Sequence, residues 1–482
     1  MVDLDPLFYP KSVALIGVSD LPIKGATSFL YALRQVNFPH PVYNVSKTRT
    51  KVMYYEDAYP SVLDIPAAID YAIIGVPAKD VPEAIDQCRQ KGVKFVSIFS
   101  SGFSELCSPE GIALEHALLN NAGRLCIVGP NCLGVYCQES RITIAEILRI
   151  PEHSGDVAFI SQSGGHTGAF FTLGEHRGIF FNKVVSIGNQ CDLTLQDFIE
   201  YFTQDDRIKV ISIYLECVKE PQQFLDVLRN TSQRKPVIFW KGGITQEGLT
   251  AAASHTGAIS SSYNIFKAAL SQHGGIVTQS IEELADLTLS ARLLAVHPLG
   301  VRIGILVPGG GSCVEMTDEA AQHGLQVPEL ASATQTQLQS LIQEVNTSTR
   351  NPVDLGVMGW IPKVFGKSIS LMASDPHLDI VSFYFMTERF PSFVERMQDP
   401  RLGKEFLRNI KQAQKQSPKP LIAIIPNFVL TDPAITAVRH EFVERLTILK
   451  IPHFSSMARA ANAIQKLKNY QQWRANRDSS AG

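Results

Sequence analysis

No stretch of 18 or more apolar residues occurs in this 482-residue chain, so no membrane-spanning helix is expected. The opening MVDLDPLFYP is acidic and lacks the apolar core of a secretory signal. Charge of one sign is not in excess either: 44 Lys and Arg face 46 Asp and Glu, for a formal charge of −2. Bulk charge therefore gives no reason to expect nucleic acid as a partner. None of the eight cysteines (88, 107, 126, 132, 137, 191, 217, 313) belongs to a CxxC pair, so no metal site is assigned. A chain this long buries enough core to fold without disulfide staples; reduced thiols and a cytoplasmic location are expected. Two phosphate-binding signatures are also missing. No GxGxxG follows the first strand, and the glycines at 309–311 are not followed by GK[ST].

What is there is alternation. Short Val/Ile-rich runs alternate with longer helical patterns almost throughout, the mark of βαβ units and parallel sheets. At about 150 residues per domain, the length suits three domains. In the first block, strands are expected at 12–17, 41–45, 71–76, 95–99 and 125–128, with helices at 25–36, 81–91 and 109–121. Residues 135–154 are weakly periodic and read as a connector. The second block has strands at 156–160, 183–187, 210–215 and 236–240. Ser280 and Glu283 form a capping box that opens a helix to about residue 294. A turn at 297–300 precedes a third block, with strands at 301–307, 378–384 and 420–425 and a last helix at 457–470. The polar tail from 471 is expected to fray. The expected domains are thus 1–134, 152–297 and 300–470.

Strand one ends in Gly17-Val18-Ser19-Asp20, and Gly25 opens the next helix. Such a turn offers backbone N–H groups and a helix dipole to a phosphate. An NAD site expects an acid about 20 residues further on. Residues 21–55 contain no Asp or Glu and carry Lys24, Arg34, Lys47, Arg49 and Lys51. That basic cluster suits an extra phosphate, of NADP or of the 3′-phosphoadenosine of coenzyme A. A solvated basic turn is the plainer alternative.

In the second block, the strand at 236–240 leads into KGGITQEGLTAAASHTGAI, where small residues surround His255. A lone histidine is more often structural than catalytic, but two neighbours raise its standing. Glu216 ends the strand at 210–215, on the sheet edge where ligands bind. It could hold one imidazole nitrogen and leave the other as nucleophile. The strand at 156–160 opens into Ser161, Gln162, Ser163, Gly164 and Gly165 ahead of a helix, a second end fit for phosphate. A nucleophilic His, an orienting Glu and a phosphate cradle describe phosphoryl transfer through phosphohistidine.

These residues resemble the α subunit of the NDP-forming acyl-CoA synthetases, a branch of the succinyl-CoA synthetase superfamily, from about residue 7 to 470. The resemblance rests on SVALIG at 12–17, VPAKDVPEAI at 76–85, SSGFSE at 100–105 and GPNCLG at 129–134. It continues through ISQSGG at 160–165, YLECVKE at 214–220, AAASHTGAI at 251–259 and NPVDL at 351–355. It implies an α/β chain of three consecutive doubly wound domains: a Rossmann-like CoA-binding domain, then two flavodoxin-like domains of the succinyl-CoA synthetase type. It implies CoA contacts from Gly17, Ser19, Lys24, Lys47, Val76, Pro77, Ser100, Asn131 and Cys132, the last two near the thioester. His255 and Glu216 would be the catalytic pair, with Ser161, Ser163, Gly164 and Gly165 receiving phosphate. Coenzyme A would be a substrate, with no tightly bound cofactor in this chain. ADP or ATP and Mg²⁺ would sit on an ATP-grasp β subunit, which implies a hetero-oligomer acting on a small carboxylic acid. A regulatory CoA-binding subunit without turnover is the alternative, and an NADP oxidoreductase leaves His255 unexplained. The chain departs from the family at Ser46, at Gly165-His166-Thr167 and at Pro308-Gly309-Gly310-Gly311.

Overall fold

The computed structural model describes residues 2–145, 147–152, 154–250, 263–342, 345–429 and 431–478. It divides into two compact units, Met1–Leu284 and Ala285–Gly482.

The first unit holds two sheets. Seven strands form the first: β1 (Val13–Ile16), β2 (Val42–Val45), β3 (Lys51–Val52), β4 (Glu56–Tyr59), β5 (Tyr71–Ile74), β6 (Phe95–Ile98) and β7 (Cys126–Val128), in the order β3-β4-β2-β1-β5-β6-β7. All neighbours are parallel except β3, which turns back on β4. Leaving out β3, this is the 3-2-1-4-5-6 order of the dinucleotide-binding fold, whose ligand crevice lies at the carboxyl ends of the strands where the order reverses. Here that point is the gap between the ends of β1 and β5. The central strands are buried at every position, as helix cover on both faces requires.

The second sheet contains β8 (Gly134–Cys137), β9 (Val157–Ser161), β10 (Phe181–Ser186), β11 (Val210–Leu215), β12 (Val237–Lys241) and β13 (Ile276–Thr278), ordered β13-β12-β11-β9-β10-β8. Its parallel part follows the 2-1-3-4-5 flavodoxin-like order, reversing between β9 and β11. Strand β8 is antiparallel to β10. The connector expected at 135–154 thus begins as a sheet strand. Its four residues are all buried, so they show no alternation to read. One hydrophobic cluster joins the two sheets, running from Leu15, Phe29 and Tyr71 to Ile160, Phe198 and Ile213.

The second unit carries β14 (Ile303–Val307), β15 (Val353–Asp354), β16 (Ile380–Tyr384), β17 (Leu421–Ile424) and β18 (His453–Phe454), all parallel, in the order β15-β14-β16-β17-β18. This is again 2-1-3-4-5. Of the tail expected to fray, residues 471–478 instead continue the last helix, which runs Met457–Asp478. No Gly or Pro interrupts it, and its Ala, Gln, Lys and Arg residues favour helix. Gln471 clips it to the preceding linker, accepting from the Leu299 N–H at 3.0 Å and donating to the His297 carbonyl at 2.7 Å. At the expected capping box, Ser280 Oγ accepts from the Glu283 N–H at 3.1 Å, while the Glu283 carboxylate reaches back to the Gln279 N–H at 2.7 Å.

Candidate active site

At the reversal point of the first sheet, three glycines bring two loops together. A Cβ on Gly75 would lie 2.3 Å from the Ala26 nitrogen, and one on Gly25 would lie 2.5 Å from the Gly75 carbonyl oxygen. Gly17, at φ 97°, sits against the same carbonyl and against Val76. Sequence reading singled out Gly17 and Gly25 but missed Gly75, whose role exists only once β1 and β5 are neighbours. The turn's donors correct one expectation. The N–H groups of Gly17 and Val18 both bond the Val45 carbonyl, at 3.0 and 3.2 Å, and that of Ser19 bonds Thr27 Oγ1 at 2.9 Å. They are therefore not held out for a phosphate.

Four of the five basic residues are paired. Arg34 bonds Glu56 through two parallel 2.8 Å contacts, Lys47 meets Glu83 at 2.7 Å, Lys51 meets Asp57 at 2.7 Å, and Arg49 meets Asp20. The acids absent from 21–55 arrive from outside that span. The Lys47, Arg49 and Lys51 pairs are exposed, hence weak and exchangeable for a ligand phosphate. Lys24 has no ion-pair partner among the described residues.

The loop 129–134 joins the two sheets. The Asn131 N–H donates to the Ser100 carbonyl at 3.0 Å, and Ser100 Oγ donates to the Val76 carbonyl, beside Pro77. On the other side, the Leu133 N–H donates to Ser186 Oγ on β10 at 3.1 Å. Cys132 Sγ donates to the Val128 and Ile98 carbonyls at 3.4 and 3.5 Å. Burial pushes its thiol up to about 12, so it stays protonated.

A cavity of about 410 Å³ lies where this loop meets the reversal point of the second sheet. Phe99, Asn131, Cys132 and Leu133 line it from one side, and Gln162, Ser163, Gly164, Gly165 and Glu216 from the other. Ser163 caps the 13-residue helix Gly164–His176, its Oγ accepting from the His166 N–H at 3.4 Å. Ser161 Oγ donates to the Ser163 carbonyl at 2.7 Å, which sets the turn. The N–H groups of Gly164 and Gly165 have no acceptor among the described residues. They are orphan donors at the positive end of a helix dipole, facing the cavity. A Cβ on Gly165 would meet nothing within 4 Å, so the cradle is open there.

Gln162, to which sequence reading gave no role of its own within the turn, ties this turn to Glu216. Its Oε1 accepts from the N–H groups of Glu216 and Cys217 at 2.8 and 3.1 Å, and its own N–H donates to the Tyr214 carbonyl at 3.1 Å. Beside Glu216, the His166 ring packs against Tyr214 and Trp240, with centroids 4.4 and 4.6 Å apart. Burial lowers the His166 pKa, and the Glu216 charge opposes the shift only in part. Lys241, level with Leu215 in the neighbouring strand, is also lowered by burial, against Cys217 and Glu216. His255 lies outside the described residues.

The folds and this junction define an α/β protein in which a sheet of dinucleotide-binding order is joined to a sheet of flavodoxin-like order. Residues 11–138 match the model of a CoA binding domain, and residues 154–290 that of the succinyl-CoA ligase like flavodoxin domain. The chain is 32% identical to the acetate–CoA ligase [ADP-forming] I subunit alpha of Pyrococcus furiosus over 484 residues, covering 98% of this chain and 99% of that one. It is 37% identical to the acetate–CoA ligase [ADP-forming] I of Archaeoglobus fulgidus over 380 residues, 78% of this chain, but spans only about half, 54%, of that protein. The solved acetyl-coenzyme A synthetase 1 of Ca. Korarchaeum cryptofilum, in complex with phosphate and ADP, superposes with a TM-score of 0.83 at 28% identity, covering 100% of both chains. The chain belongs to the family of the ADP-forming acetate–CoA ligases, with the extent of their separate α subunit.

Proposed function

We propose that this chain is the α subunit of an ADP-forming acyl-CoA synthetase, interconverting acyl-CoA, ADP and phosphate with a carboxylic acid, CoA and ATP. The observation that carries the reading is the cavity joining the Asn131-Cys132-Leu133 loop to the Gly164–Gly165 helix end and Glu216. CoA enters along residues 1–134, with Gly17, Ser19, Lys24, Lys47, Val76, Pro77 and Ser100 along its path and the thioester near Asn131 and Cys132. Phosphate, held by Ser161, Ser163, Gly164 and Gly165, attacks the acyl carbon, giving acyl phosphate and CoA. His255 then takes the phosphoryl group and the carboxylate leaves. Glu216 accepts a hydrogen bond from the other ring nitrogen and stabilises the charge that develops on the imidazole. Finally the phosphoryl group passes to ADP, with Mg²⁺, on an ATP-grasp β subunit in a hetero-oligomer. The flavodoxin-like domains are 152–297 and 300–470, and the acid is a small carboxylate.

The test is labelling. The chain incubated with [³²P]phosphate and a panel of acyl-CoAs should acquire an acid-labile, base-stable label that disappears in His255→Ala. Undiminished label in that variant overturns the assignment.

A further inference from the structure

Glu216 is held by more than its backbone. Tyr214 and Glu216 are two residues apart at the end of β11, so their side chains leave the same face of the sheet. The Tyr214 hydroxyl donates to Glu216 Oε1 at 3.1 Å. Among the described residues, Oε2 has no hydrogen-bond partner, and Glu216 lines the cavity. The Tyr214 ring is itself fixed. His166 packs on it at 4.4 Å and 67°, and Trp240, its cross-strand partner on β12, at 4.6 Å and 62°. Space for the hydroxyl depends on Gly242, where a Cβ would lie 2.6 Å from the Tyr214 oxygen and 3.3 Å from Glu216 Cγ.

We infer that Tyr214 is a positioning residue for Glu216: its hydroxyl fixes the carboxylate plane by occupying Oε1 and leaves Oε2 unengaged on the residue that lines the cavity. This deepens the proposed function and rests on it. The physical need is specific. The last torsion of a glutamate is broad, so without a fixed donor the carboxylate turns freely and loses preorganisation when the ring becomes charged. Tyr214 suits the task because burial and the adjacent Glu216 charge raise its pKa, so it remains a neutral donor. His166 and Trp240 supply the ring packing that makes one hydroxyl position the only good one. The deviation at His166 thereby gains a role: an imidazole wedge behind the tyrosine.

Tyr214→Phe keeps the ring and removes the donor. A hydrogen bond to a charged group contributes about 1.5–3 kcal/mol, roughly a ten- to hundredfold rate factor. Initial rates of labelling from acyl-CoA and [³²P]phosphate should fall by that factor. The KM values for both substrates should stay within about twofold of wild type. Gly242→Ala, which displaces the hydroxyl by another route, should slow labelling as well. The decisive readout is non-additivity: Tyr214→Phe placed in Glu216→Gln should slow labelling no further, because the tyrosine acts only through that carboxylate. Wild-type rates in Tyr214→Phe, or a full additional loss in the double variant, overturn the inference while leaving the proposed function standing. A wild-type chain that takes no label from any acyl-CoA overturns the proposed function, and this inference with it.

Discussion

Lys183 is a fully buried charge in the first unit, and its removal and that of its partner should differ sharply. Its side chain is 0% exposed at the start of β10 and meets Asp205, 9% exposed, at 2.7 Å. It also donates to Asn182 Oδ1 at 2.8 Å and lies 5.9, 5.2 and 5.8 Å from the Phe8, Tyr9 and Tyr201 ring centres. Arg207 holds the other side of Asp205 with contacts of 2.8 and 2.7 Å. Burial alone would raise the Asp205 pKa, but the hydrogen bonds from Arg207 and Lys183 outweigh it and hold the carboxyl well below the usual carboxylate range. Asp205→Asn keeps the shape and strands a buried ammonium. Breaking such a pair costs about 3–5 kcal/mol. At roughly 2–4 °C per kcal/mol, the melting transition of the first unit should fall by about 6–20 °C. Lys183→Met leaves Asp205 with Arg207 and packs a flexible apolar chain under the same rings, so its loss should be under about 1 kcal/mol. Adding Lys183→Met to Asp205→Asn should restore most of the loss. The pH dependence has a definite sign. A lowered folded-state pKa contributes stability that is present above the unfolded value of 3.8 and is lost as pH falls through the folded value. Asp205→Asn should therefore flatten the acid limb. The assay is scanning calorimetry of the single and double variants from pH 2 to 7. Equal losses in the two single variants, or an Asp205→Asn melt within about 2 °C of wild type, would refute this account.

Three further variants probe the site. Gly75→Ala puts a Cβ 2.3 Å from the Ala26 nitrogen and 2.8 Å from the Gly25 carbonyl carbon, both backbone, so it should lower stability by at least about 1–3 kcal/mol and abolish CoA binding in calorimetric titration. Gly165→Ala meets no atom within 4 Å and should melt like wild type while slowing phosphate-dependent labelling; a destabilised Gly165→Ala would contradict the open cradle. The His166 pKa is lowered by burial from 6.5, with Glu216 opposing, so the unfolded chain binds the proton more readily and stability should fall as pH drops below 6.5. His166→Phe should lose less stability than wild type between pH 7 and 5, measured by urea midpoints, and an unchanged difference would remove His166 from the acid response.

Much of the frame was legible because it depends on local pattern. Alternation of apolar runs and helical periods dictated βαβ units, and short Val/Ile-rich runs such as 210–215 marked strands that are buried throughout. The capping signal at Ser280 worked because a cap is a contact over three residues. Short edge strands, β3, β8, β15 and β18 among them, stayed hidden, since two to four residues carry no period. Candidate site residues were legible one at a time: Glu216 at a strand end, and glycines before a helix. Tertiary structure alone decided their company. Gly75 matters because β1 and β5 are neighbours 58 residues apart in register, Val13 beside Tyr71. Four members of the basic cluster, Arg34, Lys47, Arg49 and Lys51, are paired because Asp20, Glu56, Asp57 and Glu83 come to them from outside the acid-free span. Gln162 reaches the Glu216 backbone only because β9 and β11 are adjacent at the reversal of strand order. Strand order is set by how whole helices and strands pack, and no window of sequence contains it. The chemistry of each residue was therefore written in the chain, while the arrangement that makes those residues one site came from the long-range packing of the sheets.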